Sequence, residues 1–348
     1  MTTKKAANET ANDNRDSDCK SKKKSDIVGA ELQKLDAELR TKRTKKIGCF
    51  RIRTANDTIQ EAAQRPDPMG LWENYWYEGE MSCLFSDSNL GKSILAVQIA
   101  TKIAETQKVT YFDFELSDKQ FQKRYTDENG KLFQFPNNLY RAEINSENLF
   151  VKNFTDRIIE EIKCYVVLEG VKVIIIDNIT FLSSATEKGD EAGELMIRLK
   201  GLQKELNLSM LIIAHTPKRS MTNPITPNDL AGSKKLYNFF DSCNAIGQSA
   251  KDPNLRYVKQ LKVRYGAFSY GANNVQLFSI QMTNSFLHFE PEGFATEKEH
   301  LKEPSENDRQ RQIDEVKMLN TNGMSQRQIA EHLGLSLGTV NNYLKKHN

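Results

Sequence analysis

The chain has 348 residues, 38% of them hydrophobic and 9% aromatic, a composition that excludes disorder throughout. The formal net charge of +3 is nearly balanced, so any affinity for nucleic acid must come from local basic patches. The five cysteines are scattered without a Cys-x-x-Cys pair, which argues against structural zinc and for a reducing compartment. Because no apolar leader and no run of about 18 apolar residues is present, a soluble cytoplasmic protein without a membrane partner is expected.

The N-terminal part of the chain divides into a tail and a connecting region. Residues 1–26 are polar and predict a disordered tail. Within residues 27–79, three leucines at helical spacing predict a helix that ends in the basic cluster T-K-R-T-K-K. This cluster is either a solvated helix face or a DNA-binding arm. The tryptophans Trp72 and Trp76 are expected to pack on the following domain, and stacking on a base is the less favoured alternative.

Residues 80–290 alternate strand-like apolar runs with helical patterns, as in V-T-Y-F-D-F and V-K-V-I-I-I-D. Continuous β-branched strands separated by helices predict an α/β fold with a mostly parallel sheet covered by helices on both faces. The closely spaced strands after Leu255 predict β-hairpins that extend the sheet.

A nearly complete phosphate-binding loop lies early in this domain. The stretch F-S-D-S-N-L-G-K-S matches G-x-x-x-x-G-K-[S/T], except that Ser86 replaces the first glycine. In such loops backbone N–H groups surround the phosphates, the lysine reaches the outer phosphates and the next hydroxyl binds Mg²⁺. The alternative is a chance G-K-S at a helix start, but the strand before it and the helix after it favour a nucleotide site. The predicted nucleotide-binding residues are Ser86, Asp87, Ser88, Asn89, Leu90, Gly91, Lys92, Ser93 and Ile94.

Acidic residues follow two of the predicted strands. Asp177 ends V-K-V-I-I-I-D, at the edge of the sheet where ligands bind, and with Ser93 it is the predicted Mg²⁺ ligand. The alternative for Asp177 is a cap on the following turn. Asp113 and Glu115 reach the same edge, and Glu115 is the candidate base that orients the attacking water, whereas Asp113 is less favoured.

The segment Y-F-D-F-E-L-S-D-K-Q-F-Q-K-R, with Glu115, Ser117 and Arg124, resembles the corresponding segment of RecA-type ATPases. Within them it is most similar to the DnaB-type and RepA-type hexameric replicative helicases of plasmids and mobile elements. The resemblance covers residues 80 to 290 and implies a RecA-like core, ATP and Mg²⁺. It also implies that Glu115 is the catalytic base and that Lys92 is a second catalytic residue.

Two further segments carry the resemblance. His215 ends the strand L-S-M-L-I-I-A-H where the family has a polar sensor of the γ-phosphate; the alternative is a histidine bonded to backbone. The segment N-D-L-A-G-S-K-K-L-Y-N-F-F-D resembles the family's pattern at Asp229, Ser233 and Asp241.

K-V-R-Y-G resembles the family's K-x-R-x-G, in which the lysine and arginine reach the neighbouring subunit's γ-phosphate. This implies that Lys262 and Arg264 act catalytically in trans, on one face of a strand, and that the chain forms a homo-oligomer, a hexamer in this family. Their alternative is two solvated charges on an edge strand. The family's primase-contacting domain is not recognisable before the core, which favours a plasmid or mobile-element protein over a chromosomal helicase.

Residues 291–307 are charged and flanked by proline, as expected of a linker, and residues 308–348 predict a helix-turn-helix. Ser325 and Ser336 are predicted helix caps, and Gly334 supplies the turn. The alternative is a three-helix protein-interaction module.

Two sets of residues are predicted to contact DNA. Lys218 and Arg219, in the loop after His215, are predicted to contact single-stranded DNA at the ring centre. The residues predicted to contact duplex DNA are Leu337, Gly338, Thr339, Asn341 and Asn342 at the bases and Lys345 and Lys346 at phosphates.

These patterns favour an ATP-hydrolysing DNA motor, a RepA-like replicative helicase. The alternative is an ATP-gated DNA-binding regulator of transposition, copy number or transcription that does not separate strands. A transcription factor with an inactive nucleotide site is disfavoured because all the catalytic residues are present.

Overall fold

The computed structural model describes residues 45–144, 154–184, 191–216, 219–230, 234–303 and 305–345. The predicted tail, most of the predicted N-terminal helix, Lys218, Ser233 and Lys346 lie outside these residues. The chain forms two units, Met1–Asp67 and Pro68–Asn348. In the first unit, the antiparallel strands β1 (Lys45–Ile47) and β2 (Phe50–Ile52) precede helix α1 (Ala55–Ala63).

The second unit is built on a nine-stranded sheet with the order β13-β12-β11-β10-β5-β9-β8-β6-β7. The strands from β10 to β7 in this order are parallel, and β11, β12 and β13 add antiparallel hairpins, as the sequence predicted. The strands are β5 (Met81–Ser86), β6 (Val109–Asp113), β7 (Leu139–Ala142), β8 (Val173–Asp177), β9 (Ser209–His215), β10 (Ser242–Gln248), β11 (Leu255–Lys262), β12 (Val275–Thr283) and β13 (Phe286–Ala295).

Helices cover both faces of this sheet. Because side chains alternate along a strand, Cys83 and Ile174 belong to one buried cluster, whereas their neighbours Leu84 and Ile175 belong to another. The first cluster includes residues of α4 and α6, and the second includes the apolar stripe of α2. The helices of this region are α2 (Lys92–Ala104), α3 (Asp118–Arg124), α4 (Phe154–Glu169), α5 (Ile179–Ser184), α6 (Glu191–Leu206) and α7 (Lys234–Phe239).

A short hairpin of β3 (Gly70–Trp72) and β4 (Trp76–Tyr77) belongs to this unit. Trp76 is fully buried and Trp72 nearly so, and both lie in the core cluster of α2. The hydroxyl of Tyr75 donates a hydrogen bond to Gln276 Oε1 at 2.9 Å. The packing role predicted for both tryptophans is therefore confirmed.

The sheet continues into the predicted linker. Strand β13 ends at Ala295, and Glu297, only 1% exposed, forms a 2.5 Å ion pair with the buried Lys259. His300 Nδ1 lies 2.8 Å from Ser249 Oγ. The prediction that 291–307 is a linker is thus wrong up to residue 300. The charges of this segment suggested exposure to solvent. Glu297 is nevertheless buried, because the buried Lys259 of β11 neutralises its charge.

The C-terminal helices are α8 (Glu306–Thr321), α9 (Gln326–Leu333) and α10 (Leu337–Lys345). Val316, Ile329 and Val340, one from each helix, are fully buried together. The oxygen of Ser325 accepts from the N–H of Gln328 in a capping box, and Gly334 ends α9 with φ +64°. The predicted three-helix unit with its caps and turn is confirmed. Across the described residues, none of the helices is long and apolar enough to cross a membrane.

Candidate active site

The phosphate loop connects β5 to α2. Ser86 is the last strand residue, so the first position of this loop does not need glycine, whereas Asn89 and Gly91 are left-handed, with φ of +64° and +94°. A Cβ atom on Gly91 would lie 2.8 Å from the ring of Phe289 and 2.9 Å from Ile280. Two features therefore require glycine at position 91: the left-handed backbone, and the β12–β13 hairpin, which leaves no space for a Cβ atom.

Lys92 is 6% exposed, and its ammonium is held inside the loop. Lys92 Nζ donates to the carbonyl oxygens of Ser86 at 3.0 Å and Asp87 at 2.9 Å, and to Ser86 Oγ at 3.3 Å. Burial lowers the pKa of Lys92, and the negative charges of Asp177 and Glu115 oppose that shift. A bound phosphate would stabilise the charged form further.

A cavity of about 400 Å³ opens above the loop and the edge of the sheet. Six of the nine predicted nucleotide-binding residues line it together with two of the predicted catalytic residues. Its lining is Ser88, Asn89, Gly91, Lys92, Ser93, Ile94, Glu115, Arg124, His215 and Ile280. The other three predicted nucleotide-binding residues, Ser86, Asp87 and Leu90, line a neighbouring cavity of about 100 Å³.

Ser93 and Asp177 meet beside this cavity. Asp177 is 2% exposed, and it is hydrogen-bonded by the hydroxyls of Ser93 and of Tyr111, the latter at 2.5 Å. Burial raises the pKa of Asp177, and the two hydroxyls act in the opposite direction. A hydroxyl and a carboxylate that face a phosphate site are the oxygen ligands that Mg²⁺ uses with nucleotides, so these residues fit the ion.

Glu115, Asn178 and His215 converge from the carboxyl ends of three adjacent strands. His215 Nε2 lies 3.2 Å from Glu115 Oε1 and 3.0 Å from Asn178 Nδ2, and Asn178 Nδ2 also donates to Glu115 Oε1. The structure thus places two of the five predicted catalytic residues, Glu115 and His215, in one hydrogen-bonded cluster. Asn178 is a member that the sequence did not identify, although its position next to Asp177 was a signal.

The turn that presents Glu115 is fixed from below. Asp113 is 2% exposed, and its Oδ1 accepts from the backbone N–H groups of Glu115 at 3.2 Å and Leu116 at 3.0 Å. Arg141 from β7 binds Asp113 Oδ2 through Nε at 2.9 Å and also the carbonyl oxygen of Leu116. Asp113 therefore shapes the turn. Arg141 could not be identified from the sequence because it lies on a different strand.

Arg124 ends α3 and lines the cavity. Its Nη1 is buried, and among the described residues it has no hydrogen-bond partner. A buried cationic donor without a protein partner is costly, and a nucleotide in the cavity could supply an acceptor.

Lys262 and Arg264 lie at the opposite edge of the sheet from the phosphate loop. Lys262 pairs with Cys243, which pairs with Cys83 near the start of β5, whereas the loop follows the end of β5. Arg264 binds Asp241, which also accepts from the N–H of Met81, the first residue of β5. A six-residue strand is about 17 Å long, so Arg264 does not reach the phosphate loop of its own chain.

Both side chains are held near the end of α7. Arg264 Nη1 lies 2.9 Å from Asp241 Oδ1, and Lys262 Nζ donates to the carbonyl oxygen of Tyr237 at 3.1 Å. The expectation that they share a strand face is wrong because β11 ends at Lys262 and Arg264 lies in the following loop.

Arg219 is turned inward. Its side chain is 12% exposed, its Nη2 donates to the carbonyl oxygen of Asn223 at 3.0 Å, and Nη1 lies 4.0 Å from Asp229. In this arrangement Arg219 supports the loop after β9, and its contact with single-stranded DNA stays a prediction.

Those of the predicted duplex-contacting residues that the structure describes all lie within α10, from its first residue, Leu337, to its last, Lys345. Leu337, Gly338, Asn342 and Lys345 are exposed, while Thr339 and Asn341 are half-buried. The residues share one accessible helix, and their contacts with DNA remain predictions.

The fold and the site define a P-loop ATPase domain with a RecA-like sheet and a C-terminal helix-turn-helix. Residues 50–221 match the family described as AAA domain, and residues 318–346 match the family described as winged helix-turn-helix DNA-binding. The chain is thus similar to this AAA family over slightly less than half of its length, and to the winged helix-turn-helix family over a short C-terminal segment.

Similar proteins include two named for roles in DNA metabolism. A DNA helicase/primase of Enterobacteria phage T3 is 32% identical over 107 residues, which are 28% of this chain and 19% of that protein. A DNA repair protein RadA of Chlamydia muridarum is 26% identical over 222 residues, 62% of this chain and 42% of that protein. The chain thus matches less than half the length of either. A solved KaiC-like protein from Pyrococcus horikoshii aligns with a TM-score of 0.47 and 14% identity over 62% of this chain and 91% of that chain.

Proposed function

We propose that the protein is an ATP-hydrolysing DNA motor whose active sites form between subunits of a ring, with the role of a RepA-like replicative helicase of a plasmid or mobile element. One observation carries this proposal. Glu115, His215 and the phosphate loop lie at one edge of the sheet, whereas the half-buried Lys262 and the exposed Arg264 lie at the other. Adjacent copies can join these two halves, and the hexamer is the arrangement that the resemblance implies.

Each residue then has a chemical role in hydrolysis of ATP, the substrate. The loop amides and Lys92 bind the phosphates, and Glu115 orients the attacking water and accepts its proton. His215 and Asn178 hold Glu115 and sense the γ-phosphate. Mg²⁺ bound by Ser93 and Asp177 would neutralise phosphate charge. Arg264 of the adjacent copy stabilises the charge that develops on the transferred group, an effect worth about 10³- to 10⁵-fold where such fingers have been measured.

A second candidate function is an ATP-gated DNA-binding regulator. It is favoured by contacts between the helix-turn-helix and the loop after β9. Gln312 Nε2 donates to Asn223 Oδ1 at 3.2 Å, and Asn228 Nδ2 donates to the carbonyl oxygen of Glu331 at 3.1 Å. The loop follows His215, so a change at the γ-phosphate has a short path to the DNA-binding helices.

Hydrolysis of ATP with and without single-stranded DNA, and unwinding of a forked duplex, separate these functions. We expect DNA-stimulated hydrolysis and unwinding in the wild type and neither in Lys92→Ala. Lys102→Ala is the matched control because this lysine of the same helix is exposed and pairs with the exposed Glu105. Stimulated hydrolysis without unwinding would reject the helicase and keep the regulator. Absence of hydrolysis in the wild type would reject both.

A further inference from the structure

Asp241 connects four elements at the edge of the sheet opposite the phosphate loop. It lies between α7 and β10 and is bound by groups from β5, from α6 and from the loop after β11. Its Oδ2 accepts from the N–H of Met81 at 2.9 Å and from Lys200 Nζ at 2.5 Å. Its Oδ1 accepts from Arg264 Nη1 at 2.9 Å.

The two oxygens of Asp241 differ in what holds them. The groups on Oδ2 are a backbone amide of the central sheet and a lysine that is itself only 18% exposed, so the carboxylate has a fixed orientation. Oδ1 is therefore a fixed acceptor presented to Arg264. Asp241 is 14% exposed and Arg264 is 54% exposed, so the ion pair has a rigid inner partner and an accessible outer partner.

Arg264 is anchored on one side and exposed on the other. A guanidinium has five N–H donors in a planar fork, and the contact with Asp241 uses one of its two terminal nitrogens. The other, Nη2, is 3.5 Å from the carbonyl oxygen of Asn238, at the limit of a hydrogen bond. Donors thus remain for an acceptor that approaches from outside.

The charges around Asp241 favour such an acceptor. Three cations, Lys200, Lys262 and Arg264, lie near the carboxylate of Asp241. The buried Glu80 is a second carboxylate close to Asp241. Burial lowers the pKa of Lys262, and the positive charge of Arg264 acts in the same direction. An anion such as a phosphate oxygen would relieve this crowding of cations.

We propose that Asp241 is a positioning residue that holds Arg264 in the orientation in which it meets the γ-phosphate of an adjacent copy. This rests on the proposed function, because it requires that Arg264 act in trans. An exposed arginine loses much rotamer freedom when it binds a phosphate. Because Asp241 already restricts the side chain of Arg264, part of this entropy cost is met before the neighbour's nucleotide binds. Asp241 acts through Arg264 and does not itself touch the substrate.

The test is a double-mutant cycle on the assembled full-length protein, with Asp241→Asn, Arg264→Ala and the double variant. The asparagine retains an oxygen for the N–H of Met81, which preserves the fold. We expect Asp241→Asn to lower kcat about 10- to 100-fold, the range that corresponds to losing one charged hydrogen bond, with the KM for ATP unchanged. In the Arg264→Ala background the same change should have no further effect on kcat.

The outcomes separate the two proposals. If Arg264→Ala lowers kcat but Asp241→Asn does not, Arg264 acts without Asp241 and the positioning role is rejected. Equal losses from Asp241→Asn in both backgrounds would also reject it, because a general structural defect is additive. If Arg264→Ala itself leaves kcat unchanged, the trans site of the proposed function fails. Glu205→Gln is the matched control because its carboxylate pairs at 2.8 Å with Lys163 on the surface.

Discussion

At the scale of single residues, two positions of the phosphate loop, Ser86 and Gly91, differ in how strictly the structure requires a glycine. Ser86 stands where the motif has glycine, but it ends a strand, and its hydroxyl is one of the three oxygens around Lys92 Nζ, the other two being the carbonyl oxygens of Ser86 and Asp87. Gly91 has a left-handed backbone, and two side chains of the β12–β13 hairpin lie where a Cβ would be. Backbone geometry thus explains why position 86 tolerates a residue other than glycine, whereas position 91 does not.

Ser86→Gly should leave ATP hydrolysis nearly unchanged because two carbonyl oxygens still hold Lys92. Gly91→Ala should abolish ATP binding and lower the free energy of unfolding by about 1–3 kcal/mol through strain and overpacking. Nucleotide titration and denaturant unfolding measure both effects. Gly193→Ala is the control, since this glycine lies in helix α6 with open space around its Cα. Similar losses in Ser86→Gly and Gly91→Ala would contradict this account of the loop.

Substitution of Asp177 should have opposite effects on the stability of the protein and on its function. Burial raises its folded pKa, so the stability linked to its protonated form is present at low pH and is lost as the pH rises through the folded pKa. Asp177→Asn should therefore equal or exceed the wild type in thermal stability at neutral pH without ligands, yet lose the stabilisation by ATP with Mg²⁺. Thermal unfolding from acid to alkaline pH, with and without both ligands, measures this. Retained stabilisation by Mg²⁺ and ATP would exclude Asp177 as the metal ligand.

Several residues of the site could be predicted because they belong to local patterns. Lys92 and Ser93 belong to the loop motif. His215 ends an apolar strand, and Glu115 lies two residues beyond the end of another, so both reach the edge where the carboxyl ends of the strands meet. Arg141 could not be predicted, because its role depends on which strands become neighbours in the sheet. The buried position of Arg219 also depends on tertiary contacts, and sequence alone favoured exposure for an arginine in a polar loop.

At the scale of elements, the β12–β13 hairpin is a cover for the nucleotide site. Gln98 on α2 binds the edge strand β13 with both ends of its amide, since Nε2 donates to the carbonyl oxygen of Phe289 at 3.0 Å and Oε1 accepts from its N–H at 2.8 Å. Ile280 of the same hairpin lines the cavity. The sequence predicted the strands of this hairpin, but its position over the loop depends on a side-chain contact 191 residues apart.

Gln98→Ala should loosen the hairpin and lower the free energy of unfolding by about 1–3 kcal/mol, because two hydrogen bonds are lost and the backbone groups of Phe289 lose their protein partner. Affinity for ATP should fall as well, since the hairpin lines the cavity. Denaturant unfolding and nucleotide titration provide the measurements, with Lys102→Ala on the same helix as the control. If stability falls while affinity for ATP is unchanged, the hairpin does not contribute to the site.

At the scale of the whole molecule, the parallel sheet, the helices on both faces and the C-terminal three-helix unit followed from apolar periodicity and helix caps. The end of the sheet domain did not, because the burial of Glu297 depends on Lys259, 38 residues earlier. The two halves of the proposed site lie at opposite edges of one sheet. The central claim of the proposed function is that a second copy of the chain completes the site.

Mixing two inactive variants tests that claim most directly. Lys92→Ala lacks the phosphate-binding lysine and Arg264→Ala lacks the finger, so neither should hydrolyse ATP alone. In a randomly mixed ring at equal amounts, about a quarter of the boundaries combine an intact loop with an intact finger. ATP hydrolysis should therefore recover to about a quarter of the wild-type rate if boundaries act independently. A mixture that is as inactive as its components, although both assemble, would contradict a site shared between subunits.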